Sequence, residues 1–122
     1  MSNAVILIVE DDPFVATNLS RSLSSAGFER IVLLPSTEQT RSFLDTLTPS
    51  LAIVDVLLDD GPCVEIAEIL ATRGVPFLVS SALRRSDVDP IFLSGVWAPK
   101  PLAADDLISL VKAALRSNSV SA

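Results

Sequence analysis

The chain has 122 residues, enough for one domain to bury most of its surface without disulfides or metals. Apolar residues make up 49% of it, but the longest apolar runs fall far short of the roughly 20 residues that a membrane span needs. Fifteen acidic residues against nine basic ones give a net charge of −6, which disfavours a direct nucleic-acid surface and favours cations or basic partners.

The counts of cysteine and histidine restrict the chemistry further. A single cysteine excludes an internal disulfide and fits a reducing compartment, so a cytoplasmic location is expected. The absence of histidine removes the commonest metal ligand and the commonest general base. Any catalytic or metal site must therefore be built mainly from carboxylates, lysine or arginine, hydroxyl groups and the backbone.

The N-terminal residues predict a buried strand followed by an amphipathic helix. Residues 5–9 (VILIV) form an unbroken apolar run, which is typical of a strand covered on both faces in a parallel sheet. Asp12 and Pro13 indicate the start of a helix, because a capping carboxylate before a proline is favoured there. Gly27 ends this helix, whose predicted apolar face comprises Phe14, Val15, Leu19, Leu23 and Ala26.

A second strand and a second helix lead to the central strand. The strand is predicted over residues 31–34, and Ser36 with Gln39 resembles a capping box that opens the helix. The inward side chains of this helix are predicted to be Phe43, Leu44 and Leu47. Residues 51–54 (LAIV) are wholly apolar and precede Asp55, so this carboxylate is expected at the C-terminal edge of the sheet, where ligands bind in open α/β folds.

The second half of the chain continues the alternation, with one irregular segment. The predicted elements are a helix over 64–73, a strand over 76–80, a strand over 96–98 and a helix over about 103–116. Pro90 interrupts residues 82–95, so only a short or poorly formed helix is expected there.

Strand and helix thus alternate five times, which predicts an α/β fold with a doubly wound, five-stranded parallel sheet and right-handed crossovers. The pattern contains no repeat or linker. We therefore expect a single domain over residues 1–122, with its core at about 5–116 and a loose tail over 117–122.

Residues capable of chemistry follow four of the predicted strands. Glu10 and Asp11 follow the first strand, Asp55 the third, Ser81 the fourth and Lys100 the fifth. Crowded carboxylates repel one another, so one pKa would rise unless a cation neutralised the group, and Mg²⁺ prefers such oxygen ligands. A carboxylate nucleophile, a lysine and a hydroxyl group are what phosphoryl transfer to an aspartate requires.

Glu10-Asp11, Asp55, Ser81 and Lys100-Pro101, in this order and each at a strand end, resemble the receiver domain of two-component response regulators. The resemblance covers nearly the whole chain, from about Val5 to Arg116. It implies a flavodoxin-like sheet with the strand order 2-1-3-4-5.

The resemblance also implies a metal site and a phosphoacceptor. Asp55 would accept a phosphoryl group from the phosphohistidine of a histidine kinase or phosphotransfer protein. Asp11 and Asp55 would hold Mg²⁺ together with the backbone carbonyl of Leu57, and Glu10 would contribute through a bound water. The chain would then act as a phosphorylation-dependent signalling switch rather than as a turnover enzyme.

Three further residues are implied to contact the transferred group. Lys100 would bind the acyl phosphate, Ser81 would move to hydrogen-bond it, and the backbone N–H of Ala82 would assist. Lys100-Pro101 resembles the Lys-Pro junction of the family, whose peptide bond is usually cis, which proline allows. Trp97 stands where the family often has a switching aromatic, and plain packing is an equally good interpretation of this residue.

Several other residues have a simpler structural interpretation. Asp12 is expected only to cap a helix, and Asp59 and Asp60 are interpreted as turn residues. Cys63 lies near a helix start, where the helix dipole could lower its pKa, but a small, partly buried residue is the preferred interpretation.

Two alternative functions stay open. One is an interaction module with the same fold that is never phosphorylated. The other is an aspartyl-phosphate phosphohydrolase. Such enzymes have an Asp-x-Asp motif at the nucleophile, whose second acid serves as acid/base. Leu57 occupies this second position here, which argues against turnover. Leu57 and Leu83 cannot orient water by hydrogen bonds, which predicts slow self-dephosphorylation.

The expected partners follow from the same reasoning. A downstream protein effector is expected rather than nucleic acid or a membrane, and a homodimer stays open.

Overall fold

The computed structural model describes residues 2–58 and 60–121. The predictions for Asp59 and Ala122 lie outside these residues. The strands are β1 (Ser2–Val9), β2 (Phe28–Leu34), β3 (Leu51–Val54), β4 (Leu57–Leu58), β5 (Gly61–Pro62), β6 (Phe77–Ser81) and β7 (Val96–Pro99). The α-helices are α1 (Pro13–Ser25), α2 (Thr37–Leu44), α3 (Val64–Thr72) and α4 (Ala104–Ser121).

Five strands form one parallel sheet in the order β2-β1-β3-β6-β7. Counted along the chain, the members of this sheet have the order 2-1-3-4-5, which confirms the expected topology. The chain adds β2 on one side of β1 and the later strands on the other side, beginning with β3. The C-terminal ends of β1 and β3 therefore lie at the switch point where such folds bind ligands.

The strand side chains divide the core into two layers. In β1, Leu7 and Val9 pack on the face covered by α2 and α3, whereas Ile6 and Ile8 pack on the face covered by α1 and α4. All four are fully buried. Successive side chains of β1 point to opposite faces of the sheet, and both faces are covered by helices. Every residue of the run VILIV is therefore apolar.

Two apolar residues predicted to face the core lie at the surface. Phe14 is 75% exposed, because α1 packs through Ala16, Leu19 and Leu23, whose spacing defines a different face. Leu47 is 41% exposed, since α2 ends at Leu44, before the helix could bring Leu47 onto its inner face.

The lengths of two predicted elements also differ. The edge strand β2 begins at Phe28, three residues before the predicted start, and its pairing with β1 already begins there. The last helix continues to Ser121, so the backbone of most of the tail predicted to be loose is helical. Among the described residues, no helix is both long and apolar enough to cross a bilayer.

The segment between β6 and β7 contains two 3-10 turns, Arg85–Asp87 and Pro90–Ser94, as the proline led us to expect. Asp89 caps the second turn through a 3.0 Å hydrogen bond from the N–H of Ile91. Phe92 anchors the turn in the core with 1% of its surface exposed. The segment is therefore short but packed.

Gly95 joins this segment to β7 at a close approach to Phe77. A Cβ atom at Gly95 would lie 2.6 Å from the Phe77 ring and 2.6 Å from the Phe77 carbonyl oxygen. We expect Gly95→Ala to lower the free energy of unfolding by about 1–3 kcal/mol, because a backbone atom cannot yield as a side chain can. Urea denaturation would measure this change. The exposed neighbour Ser94→Ala should change it by less than about 0.5 kcal/mol, and equal stability of both variants would contradict the prediction.

Candidate functional site

The polar residues at the C-terminal ends of the strands lie together at one edge of the sheet. Glu10 follows β1 and Asp55 follows β3, and the N–H of Asp55 donates to the Val9 carbonyl at 3.0 Å. Ser81 ends β6, and its carbonyl accepts from the N–H of Lys100 at 3.0 Å. Hydrogen bonds of the sheet type thus continue into the site and fix its backbone.

Lys100 joins two of the carboxylates. Its Nζ atom lies 3.0 Å from Oε1 of Glu10 and 3.1 Å from Oδ2 of Asp55. The Lys100–Pro101 peptide bond is cis, as the resemblance implied. Residues separated by 90 and 45 positions in sequence thus form one ionic cluster.

Glu10, Asp11 and Asp55 form an acidic triad. Each of them offers a carboxylate oxygen, and the three oxygens lie within 4.8 Å of one another. Glu10 is buried, whereas Asp11 and Asp55 are partly exposed. An all-oxygen set with one open side fits a hard divalent cation such as Mg²⁺, which keeps several waters when bound to carboxylates.

The charges of the cluster shift the pKa of two groups. Burial raises the pKa of Glu10 above its ordinary value, and the nearby Asp55 adds to this rise, although the hydrogen bond from Lys100 opposes it. We predicted such a rise from crowding of carboxylates, but loss of solvent is its main cause. Burial acts to lower the pKa of Lys100, but its hydrogen bonds to Glu10 and Asp55 outweigh burial and raise it.

The predicted phosphate contacts lie close to this cluster in the fold. Ser81 is buried, and its Oγ accepts a 3.0 Å hydrogen bond from the N–H of Leu83. The side chain therefore already has a partner, which it would have to share or leave to reach a phosphoryl group. Ala82 lies between these two residues, directly after β6. The roles of Ser81 and Ala82 stay predictions.

The chain after Asp55 forms a hairpin where we predicted only a turn. Strands β4 and β5 pair antiparallel, with Leu57 opposite Pro62 and Leu58 opposite Gly61. Gly61 has a φ of 109°, which glycine adopts without steric cost. The side chain of Leu57 is 52% exposed. Its carbonyl as a metal ligand stays a prediction.

Cys63 supports the backbone of Asp55. The thiol is fully buried and donates from Sγ to the Asp55 carbonyl at 3.0 Å. Burial, with a smaller contribution from the negative charge of Asp55, raises the pKa of Cys63 to about 12. The suggestion of a lowered pKa is therefore wrong, because loss of solvent outweighs the helix dipole, and the residue is completely rather than partly buried.

Two acidic residues near the site accept hydrogen bonds from backbone N–H groups at helix N-termini. Asp12 caps α1, accepting from the N–H groups of Phe14 at 2.9 Å and Val15 at 3.4 Å, as predicted. Asp60 accepts from the N–H groups of Thr37 at 3.1 Å and Glu38 at 3.3 Å, at the start of α2. Sequence reasoning missed the second contact because no local pattern links residues more than 20 positions apart.

Trp97 is half-buried in β7, opposite Val79 of β6, and packs on the core face that α3 covers. This position fits a packing role, and its role as a switch stays a prediction.

The fold and the acidic triad define a receiver-like α/β domain, and comparison with known proteins leads to the same class. The heme response regulator HssR of Staphylococcus saprophyticus is 31% identical over 118 residues, which cover 93% of this chain and 52% of that protein. The DNA-binding response regulator MtrA of Mycolicibacterium smegmatis is 30% identical over 119 residues, which cover 93% of this chain and 51% of the relative. The chain thus spans about half the length of these curated relatives, and no family model matches it.

Solved structures show the same fold at lower identity. A CheY-like response regulator receiver domain protein from Methanospirillum hungatei superposes with a TM-score of 0.90 at 20% identity, over 99% of this chain and 100% of that one. The receiver domain of a modulated diguanylate cyclase from Desulfovibrio desulfuricans gives 0.87 at 24% identity, over 99% and 100% of the chains. Over 93% of its length the chain is thus similar in sequence to response regulators, and it has the fold of the solved receiver domains.

Proposed function

We propose that this chain is a signalling switch in which Asp55 accepts a phosphoryl group from a histidine kinase or phosphotransfer protein in the presence of Mg²⁺. The observation that carries the proposal is the contact of Lys100 Nζ with both Asp55 and Glu10, beside the acidic triad. A nucleophile, a cation site and a positive clamp thereby lie within one small volume at the sheet edge.

Each group would have a definite task in the transfer. An oxygen of the Asp55 carboxylate would attack phosphorus, forming a P–O bond as the P–N bond of the phosphohistidine breaks and the imidazole leaves with the bonding electrons. Asp11, Asp55 and the Leu57 carbonyl would hold Mg²⁺, with Glu10 acting through water, and the cation would neutralise phosphoryl charge. Lys100, Ser81 and the N–H of Ala82 would bind the phosphoryl oxygens.

The same arrangement supports a switch over a hydrolytic enzyme. The residue two positions after Asp55 is Leu57, whose hydrocarbon side chain cannot act as an acid or base toward water. Leu83, two positions after Ser81, is equally unable to orient water. An added phosphoryl group should therefore persist, and its charge and acceptor oxygens would bias the surrounding loops.

Incubation with acetyl phosphate and Mg²⁺, followed by intact-protein mass spectrometry, tests this function. We expect one added phosphate per chain, decaying over minutes or longer after the donor is removed. Release of inorganic phosphate without an adduct would support the phosphohydrolase, and no change in mass would support the unphosphorylated interaction module. Omission of Mg²⁺ is the matched control and should prevent the adduct.

The remaining parts of the proposal rest on the resemblance. We propose a protein effector rather than nucleic acid, because the net charge of −6 disfavours a nucleic-acid surface. Cytoplasmic location and a single domain over residues 1–122 stay predictions, and homodimer formation stays open.

A further inference from the structure

The hairpin β4–β5 directly follows Asp55 and is held at both ends. At its base, the N–H of Cys63 donates to the Val56 carbonyl at 3.1 Å, and the Cys63 thiol donates to the Asp55 carbonyl at 3.0 Å. Toward its tip, the two carboxylate oxygens of Asp60 accept from two backbone N–H groups of α2. The hydrogen bond from Thr37, supported by that from Glu38, lowers the pKa of Asp60, so this residue is ionised at neutral pH.

Helix α2 is anchored to α3, so it can hold the hairpin in place through hydrogen bonds. Arg41 of α2 forms an ion pair with Glu65 of α3. At the other end, Nη1 of Arg73 donates to the Leu44 carbonyl at 2.8 Å and to the Thr48 hydroxyl at 3.2 Å. These contacts hold α2 against α3 without involving the hairpin. The carboxylate of Asp60 therefore connects a short, partly exposed hairpin to an element that is anchored independently.

We propose that Asp60 is a positioning residue, which holds the hairpin against α2 and thereby supports cation binding at the acidic triad. The hairpin begins at Leu57, two residues after Asp55, so its orientation determines where the Leu57 carbonyl points. Contacts one layer outside a metal site commonly change metal affinity by about 10- to 100-fold. Coupling of this kind is reciprocal: Mg²⁺ should also tighten the contact between Asp60 and α2.

The proposal rests on the proposed function in assuming that the triad and the Leu57 carbonyl bind Mg²⁺. Calorimetric titration of the whole chain with Mg²⁺ alone tests it. We expect Asp60→Ala to weaken Mg²⁺ binding about tenfold, and Asp60→Asn, which keeps an acceptor oxygen, to restore part of the loss. Hydrogen exchange at the N–H groups of Thr37 and Glu38 should slow on adding Mg²⁺ to the unmodified chain and stay unchanged in Asp60→Ala.

Ser36→Ala is the control that separates positioning from simple helix stability. Ser36 caps α2 by accepting from the N–H of Gln39 at 3.1 Å, and its carbonyl accepts from the Thr40 hydroxyl at 2.8 Å, so both of these contacts lie within α2. This variant removes that cap but leaves both hydrogen bonds to Asp60 in place, so it should change Mg²⁺ affinity by less than about twofold. Equal losses in Ser36→Ala and Asp60→Ala, or unchanged affinity in Asp60→Ala, would overturn the proposal.

The outcome also separates this inference from the function it builds on. Mg²⁺ affinity that depends on Asp60, in a chain that takes up no phosphate, would support the positioning role and overturn the phosphoacceptor function. Failure of the unmodified chain to bind Mg²⁺ would overturn both.

Discussion

Asp55→Asn should lose uptake of phosphate from acetyl phosphate and Mg²⁺ by at least about 1000-fold, because the amide lacks the nucleophilic carboxylate. The substitution preserves the size of the side chain and removes one of the two carboxylates that contact Lys100. Intact-protein mass spectrometry at several times after mixing would give the rate of uptake in both chains.

Asp45→Asn provides the matched control for this experiment. Asp45 is an exposed acid at the C-terminus of α2, and its change to asparagine alters the net charge by the same amount. This variant should take up phosphate at the rate of the unmodified chain. A full adduct on the Asp55→Asn variant would place the modification on another residue and refute the assignment.

Lys100→Ala is expected to slow phosphate uptake by about 100- to 1000-fold, which is the usual effect of removing one donor from developing oxyanion charge. The ammonium group also offsets the cost of burying Glu10, so the pKa of Glu10 should rise further in the variant. Quenched-flow or timed mass measurements would give the rate, and carboxyl titration by NMR would give the direction of the Glu10 shift.

Lys112→Ala is the control, since Lys112 is the other lysine of the sequence and lies exposed on α4. It should leave both the uptake rate and the pKa of Glu10 unchanged. Equal rates for Lys100→Ala and the unmodified chain would show that the positive clamp is dispensable.

The same ion pairs give the stability a pH dependence with a definite sign. The pKa of Lys100 is raised in the folded protein, so its contribution is complete below the ordinary pKa of lysine and is lost as pH rises through the folded value. The pKa of Glu10 is also raised, so its ionisation lowers stability as pH increases. Lys100→Ala should therefore show a shallower loss of stability at alkaline pH than the unmodified chain.

Local sequence patterns predicted the parts of the fold that depend on neighbouring residues. The apolar runs at 5–9 and 51–54 identified strands buried on both faces, and Asp12-Pro13 marked the start of α1. Because parallel strands end at a common edge, these elements also brought Glu10, Asp55 and Lys100 to one place. The ionic cluster thus followed from topology, although its roles in phosphoryl transfer stay predictions.

Other features depended on packing that no local pattern records. The face of α1 that turns inward is selected by its neighbours, which left Phe14 exposed, and α2 ends before Leu47 can reach the core. The hydrogen bonds of Asp60 join residues 22 and 23 positions away, and they exist only because β3 places the hairpin beside α2. The buried state of Cys63 likewise depends on the whole sheet.

The buried thiol of Cys63 makes the protein convenient for site-directed labelling. Burial raises the pKa of Cys63 to about 12, so the thiol stays protonated at pH 8, and the sulfur is shielded from solvent. Maleimide dyes or spin labels should therefore react selectively with a cysteine introduced on the surface, without removal of the natural one. Pairs of such probes could follow movements between helices while the hydrogen bond to the Asp55 carbonyl stays intact.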